Sequence, residues 1–249
     1  MIDIHSHILP GLDDGSQDMK ETLEMIRKAE MTGVTAMVAT PHCNIPKGRK
    51  NYFDEDYKEA VHSVQLAVKQ EGLNVEIYPG MEVFATPDLP QLLREGRIMT
   101  LNGGRYLLVE FDFNEDPDFA VSIIEEIRAT GVIPVIAHAE RYKFVQRNPN
   151  IVYHWRTNGY PIQVNKGSFK GSFGGAAMDM AYNLMDCNLV SVVASDAHSQ
   201  HWRTTDMSGT YERLIDDYSQ RYLDMVFREN PGRICRNEPI LGLRAKRIE

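Results

Sequence analysis

IDIHSH, residues 2 to 7, reads as a short strand that ends in two imidazoles. Ile2 and Ile4 alternate with polar residues as in a strand, and the His5-x-His7 spacing puts both rings on one side of it. Asp3 shares that side. Two imidazoles two residues apart can chelate one divalent ion, yet histidines also cap strands or hydrogen-bond inside cores. The pair acquires meaning only from the rest of the chain.

Six further apolar, mostly β-branched runs follow: TAMVAT (35–40), VEIYPGMEV (75–83), YLLVEF (106–111), IPVIAHA (133–139), IQVNKG (162–167) and VSVVASD (190–196). Segments with helical spacing lie between them. Met19, Leu23, Ile26 and Ala29 mark the first, and Val61, Val64, Leu66 and Val68 mark a second with a broader face. Others fall near 88–95, 119–130, 149–158 and 175–187. Asp18 and Asp54 stand where N-caps belong, and Gly33, Gly72 and Gly131 follow helical segments where a left-handed residue is wanted. Seven strands alternating with helices imply parallel strands joined by helical crossovers.

The ends of those runs carry the chemistry. His5 and His7 end the first, His42 follows the second, Glu82 ends the third, Glu110 the fourth, His138 the fifth, and Asp196 with His198 the seventh. In a closed barrel all these ends point to one face, so eight ligand-type side chains from six strands would meet at one mouth. A polynuclear metal site follows from that convergence. Imidazole and carboxylate donors without thiolate suit Mn, Fe, Zn or Co, and carboxylates can bridge neighbouring ions. His62 and His154 fall inside helical segments and read as ordinary surface or packed histidines, whereas His201 stands near the mouth.

Composition sets the bounds. The 249 residues fit one barrel domain, 1–249, and are 43% hydrophobic and 25% charged, with no low-complexity tract or linker. A formal net charge of -8 argues against a non-specific nucleic-acid binder. No run of 18 apolar residues appears and no signal sequence opens the chain, so a cytoplasmic protein without membrane insertion is expected. Cys43, Cys187 and Cys235 share no C-x-x-C spacing, which fits reduced thiols.

Cys43 and Arg49 match the bare C-x5-R spacing of cysteine-based tyrosine phosphatases. Pro46 removes a backbone donor from the phosphate cradle such a loop needs, and no helical pattern starts until about residue 54. The spacing is therefore read as chance. His42 carries the chemistry, with Cys43 as its neighbour.

Seven motifs in order, DIHSHILPGLDDGS (3–16), VATPHC (38–43), GMEV (80–83), LLVEF (107–111), IAHAERY (136–142), QVNKGSFKGSFG (163–174) and ASDAH (194–198), resemble the polymerase and histidinol phosphatase (PHP) superfamily. Within it the chain resembles the manganese-dependent bacterial protein-tyrosine phosphatases of capsule and exopolysaccharide biosynthesis, and ENPGRICRNEP (229–239) is similar to their C-terminal segment. The resemblance implies a distorted (β/α)7 TIM-like barrel, an α/β fold, with three divalent ions at its C-terminal mouth. Mn2+ is the implied ion, with Fe, Zn, Co or Mg as alternatives. One ion would take His5, His7, Glu82 and Asp196, a second Glu82, Glu110 and His138, and a third Asp14, His42 and His198. Arg141 and Arg203 match phosphate-binding arginines, and Asp196 and His198 join them as expected catalytic groups. The implied substrate is a phosphotyrosine protein, the tyrosine-rich tail of a bacterial tyrosine kinase. Two departures lie near the substrate: Cys43 where the family often has histidine, and Thr204 and Thr205 where it often has prolines.

The expected chemistry is hydrolysis of a phosphomonoester by water activated between two ions, without a covalent phosphoenzyme. Other readings are a phosphatase for histidinol phosphate or another small phosphomonoester, a nuclease helped by Lys47, Arg49 and Lys50, and a non-catalytic phosphotyrosine-binding module. Oligomeric state has no signature in the sequence.

Overall fold

A computed structural model of the chain describes residues 1–48 and 50–249. Its strands are β1 (Ile2–Ser6), β2 (Ala36–Ala39), β3 (His42–Cys43), β4 (Glu76–Pro79), β5 (Glu82–Phe84), β6 (Tyr106–Glu110), β7 (Ile133–Ile136), β8 (Gln163–Asn165) and β9 (Val192–Ala194). Every pairing is parallel. β1, β2 and β4 form one ladder, β3, β5, β6 and β7 a second, and β8 and β9 a third. Single bridges, Ile136 to Ile162 and Ser6 to Ala197, join the ladders into a circuit. The expected seven staves are therefore present in a closed α/β barrel, although two of them are broken.

The breaks have local causes. TAMVATPHC divides at Thr40-Pro41, where proline cannot donate to a ladder. VEIYPGMEV divides at Gly80-Met81, and a Cβ on Gly80 would lie 2.6 Å from Val38 Cγ1. Only glycine lets the two staves approach so closely.

The helices α1 (Met19–Met31), α2 (Glu55–Gln70), α3 (Leu89–Arg94), α4 (Pro117–Ala129), α5 (Lys143–Arg147), α6 (Asn150–Thr157) and α7 (Gly175–Asp186) surround the strands. Asp18 and Asp54 cap α1 and α2, accepting from the backbone N–H groups of Glu21 and Tyr57. Gly33, Gly72 and Gly131 have positive φ at the helix ends expected of them. Leu66 departs from its expected place: it is 47% exposed, and Tyr57 with Val61, Val64 and Val68 forms the buried face of α2. Beyond residue 196, short helices follow, including Ser208–Leu214 and Asn230–Cys235.

Two apolar layers result. The larger packs the helices on the outside of the strands. The smaller fills the lower interior with Ile4, Val38, Leu108, Val135, Val192 and Ala194, and Ile234 and Cys235 close it from below. No helix among the described residues is long and apolar enough to cross a membrane.

Candidate metal centre

The upper interior is built from acceptors. His5 Nε2 lies 3.1 Å from Glu82 Oε1 and 3.4 Å from Asp196 Oδ1, and His7 Nε2 lies 3.3 Å from Glu82 Oε2 and 3.5 Å from Asp196 Oδ1. His138 Nε2 is 2.9 Å from Glu82 Oε1 and 3.8 Å from Glu110 Oε2. His42 faces two ways, with Nδ1 2.8 Å from Glu110 Oε1 and Nε2 3.5 Å from Asp14 Oδ1. His198 Nε2 closes the set at 3.6 Å from the same Asp14 oxygen. All nine sequence-predicted ligand residues thus come to one mouth. Three overlapping groups have the spacing for an ion: His5, His7 and Asp196; His42, Glu82 and Glu110; and His7, Asp14, His42 and His198. His7 and His42 each belong to two of them.

Backbone geometry aims these side chains. The register between β1 and β2 shifts between Asp3 and Ser6, a bulge that re-aims the end of the strand. For that reason Asp3 does not follow the simple alternation: its Oδ1 accepts from the backbone N–H groups of Ser195 (3.0 Å) and His5 (3.3 Å), and it joins none of the three groups. His138, Asp196 and Arg203 have φ of 29°, 50° and 47°. A left-handed backbone costs a non-glycine residue on the order of 1 to 3 kcal/mol and persists where the surroundings hold it. Here it turns chain ends that would run upward into the mouth.

Hydrogen bonds behind the rings decide their protonation. Gln163 Oε1 accepts the His138 backbone N–H at 2.9 Å, and Gln163 Nε2 donates to Asn165 Oδ1 at 2.8 Å, so the amide orientation is fixed. His5 Nδ1, 3.0 Å from that Oε1, must therefore be the donor. His7 Nδ1 likewise donates to the Asp13 carboxylate at 2.6 Å. With both protons so placed, the neutral rings turn their Nε2 lone pairs toward each other at 3.2 Å, between carboxylates. Acceptors facing acceptors repel unless a cation stands among them. Among the described residues, buried Glu82 Oε2 and His198 Nε2 also have no hydrogen-bond donor. These features fit divalent metal ions, and the anchored far nitrogens are what metal-binding imidazoles require.

The charges tell the same story without ions. Burial pulls His42 down, but Glu82 and Glu110 overcome it and raise its pKa to about 11. Burial likewise opposes a charged His7, yet Asp13 carries it well above its ordinary value. Despite burial, His5 and His42 hold Glu82 well below the carboxylate range. His198 alone goes down, through burial and the neighbouring His7 charge. The pocket draws in positive charge, as protons on imidazoles or as metal.

Arg141 and Arg203 stand over this cluster. Arg141 Nη1 lies 3.4 Å from Asp196 Oδ2; Arg203 Nη2 pairs with Asp196 Oδ1, and its Nε donates to the Asp196 carbonyl at 3.1 Å. The Arg141 guanidinium is held between the rings of Phe113 and Phe173, at 4.5 and 4.2 Å from their centroids. Cys43 points away into the apolar layer, fully buried, with burial raising its thiol to about 12. A thiol so placed is no nucleophile, and Arg49, the other half of the C-x5-R match, lies outside the described residues. His62 and His154 are exposed on α2 and α6; His201 is exposed beside Arg203.

Sequence reasoning missed the groups that hold the ligands. Asp13 accepts from His7 Nδ1 and from the His42 backbone N–H at 2.9 Å, tying two of the candidate ligands together. A Cβ on Gly15 would fall 2.2 Å from the His7 carbonyl oxygen, so the D-D-G turn closes on β1 only with glycine there. Asn165 donates to Asp196 Oδ2 at 2.5 Å, and buried Glu140 accepts from the Asn165 backbone N–H at 3.1 Å. Polar residues alternating in the buried QVN strand were the available signal.

Comparison with known proteins agrees with this arrangement. The model of the family described as capsular polysaccharide synthesis, CpsB/CapC, matches residues 1–236. The chain is 32% identical over 240 residues to tyrosine-protein phosphatase YwqE of Bacillus subtilis, covering 96% of this chain and 93% of that protein. It is 30% identical over 245 residues to tyrosine-protein phosphatase CpsB of Streptococcus pneumoniae, covering 96% and 100%. A solved structure from a crystallographic study of YwqE and CpsB, described as unique metal-dependent tyrosine phosphatases, superimposes with a TM-score of 0.93 at 32% identity, covering both chains completely. With a match across nearly its whole length and a mouth built for cations, the chain belongs to the CpsB/CapC family of capsular polysaccharide synthesis.

Proposed function

We propose that this protein is a metal-dependent phosphatase that hydrolyses phosphotyrosine in proteins and so acts on a bacterial tyrosine kinase of capsule or exopolysaccharide synthesis. The observation that carries the reading is the set of opposed acceptors, His5, His7, Glu82 and Asp196, directly beneath two arginines. The tyrosine-protein phosphatase names of its relatives supply the substrate class.

His5, His7, Asp14, His42, Glu82, Glu110, His138, Asp196 and His198 would hold three divalent ions, of which Mn2+ is our assignment. Such ions supply Lewis-acid charge and bring the pKa of a bound water close to neutrality. Gln163 and Asp13 keep the Nδ1 protons of His5 and His7 in place, so that the Nε2 lone pairs stay available. Arg141 and Arg203 exchange part of their pairing with Asp196 for the non-bridging phosphoryl oxygens, where they meet the charge that grows during transfer. Phe113 and Phe173 fix the Arg141 plane and offer faces to an aryl ring. Tyrosinate leaves as the base of an acid with pKa of about 10, so it needs less general-acid help than an alkoxide.

The cavity of about 550 Å3 beside His42 and Asp14 opens to solvent, and the Asp14 side chain is 71% exposed. Such a mouth favours a protein segment over a small enclosed metabolite. The free thiols of Cys43, Cys187 and Cys235 suit the cytoplasm, where we place the protein. Turnover of phosphotyrosine peptide and histidinol phosphate, each with manganese and with EDTA, tests the proposal. Manganese-dependent turnover favouring the peptide is expected. Turnover of neither substrate, or turnover indifferent to EDTA, would overturn it.

A further inference from the structure

A second cavity, of about 330 Å3, lies beside the metal centre between the chain after β8 and the 201–204 loop, with Lys166, Lys170, Phe173, Trp202 and Arg203 on its walls. Arg203 is a shared partition, since the same guanidinium pairs with Asp196. Lys166 is 8% exposed. Burial lowers its ammonium to about 8, and the nearby carboxylates Asp3 and Asp206 do not offset the loss of water. Among the described residues no carboxylate or carbonyl partners its Nζ. Lys170 Nζ lies over Gly209 beside Asp206, the carboxylate on that side, and Lys28, whose charge also bears on Lys166, donates to the Gln200 carbonyl.

The Lys166 side chain is largely buried, but its ammonium lines the cavity and has no bonded anion among the described residues; with Lys170 and Arg203 on the same walls, the cavity suits an anion from outside the chain. The walls specify more than charge: Phe173 and the 66% exposed Trp202 flank the basic groups. Basic groups with aromatic walls suit an aryl phosphate, and the volume is enough for one.

We propose that the Lys166 cavity is a second anion subsite, which takes a second phosphotyrosine of the same peptide while the first occupies the metal centre. This rests on the phosphotyrosine reading above and adds to it a site for a neighbouring phosphotyrosine outside the metal centre. The preference comes from Lys166 and Lys170, neither of which belongs to the metal centre.

The test compares kcat/KM on two peptides of one sequence, one with a single phosphotyrosine and one with two, for the manganese-loaded wild type, Lys166→Met, Lys166→Arg and Lys170→Ala. Charge-assisted contacts to a phosphoryl group lead us to expect about a tenfold preference of the wild type for the double peptide. It should fall toward unity in Lys166→Met, return in Lys166→Arg and shrink in Lys170→Ala, which keeps the test alive if the buried substitution does not fold. A wild-type ratio of one overturns the subsite. If the ratio is one and sulfate alters turnover of the single peptide in the wild type but not in Lys166→Met, the cavity holds a free anion and the peptide assignment is wrong. Turnover of neither peptide means failure of the phosphatase reading itself.

Discussion

Leu108 and Glu110 stand two residues apart on β6 and face the same barrel interior, yet they belong to opposite kinds of structure. Leu108 is fully buried among Ile4, Val38, Val135 and Val192, a layer that gains stability simply by leaving water. Glu110 joins His42, Glu82 and His138 in a layer of acceptors that repel one another until a cation arrives. The division repeats on β9 and its extension, where Val192 and Ala194 lie below Asp196. On these staves the lower half holds the barrel shut, and the upper half makes it useful at a cost in stability.

Breaking the upper layer should hurt function most. His5→Ala or Asp196→Ala is expected to lower manganese-dependent phosphatase activity on the order of a thousandfold, measured as kcat/KM. Asp196→Ala should also lower metal-free thermal stability, because Arg203 and Asn165 lose a buried partner. Breaking the lower layer should hurt stability most. Leu108→Ala is expected to cost about 2 to 5 kcal/mol in urea unfolding whether or not metal is present. Gln163→Leu frees the His5 ring without touching a ligand atom, and an affinity for manganese lower by about 10- to 100-fold is expected by titration.

A pH series sharpens the contrast. In metal-free protein the carboxylates hold His42 with a pKa of about 11, above its unfolded value of about 6.5. A group raised on folding stabilises fully below the unfolded value and loses that contribution as pH climbs through the folded one. Stability in EDTA should therefore decline between about pH 6.5 and 11. The smallest expected effect is that of Cys43→Ser, whose side chain faces the apolar layer: activity should stay within about twofold, although a buried hydroxyl costs about 1 kcal/mol or more in unfolding.

Much of the mouth was legible because strand ends are local signals. An apolar run followed by His, Glu or Asp announces both its element and its place in a barrel, as at His5, Glu110 and Asp196. Asp14 was reachable only through family resemblance, since it sits in a loop with no period to place it. The groups behind the ligands were less legible: the alternating polar residues of QVN marked them as unusual but not what they hold. Gln163 meets His5 across 158 positions, and Asp13 matters through a close turn that Gly15 permits. Asp3 shows the limit of alternation, because one bulge is enough to shift register. Barrel closure through Ser6 and Ala197 likewise depends on two segments that nothing in either sequence run links.

The most direct measurement is the number of metal ions retained per chain after loading with manganese and exhaustive dialysis, read by elemental analysis. Three equivalents are expected in the wild type and in Cys43→Ser, with fewer in Asp196→Ala. A wild-type chain that retains none, or an Asp196→Ala chain that retains as many as wild type, would contradict the assignment of the upper barrel layer to metal.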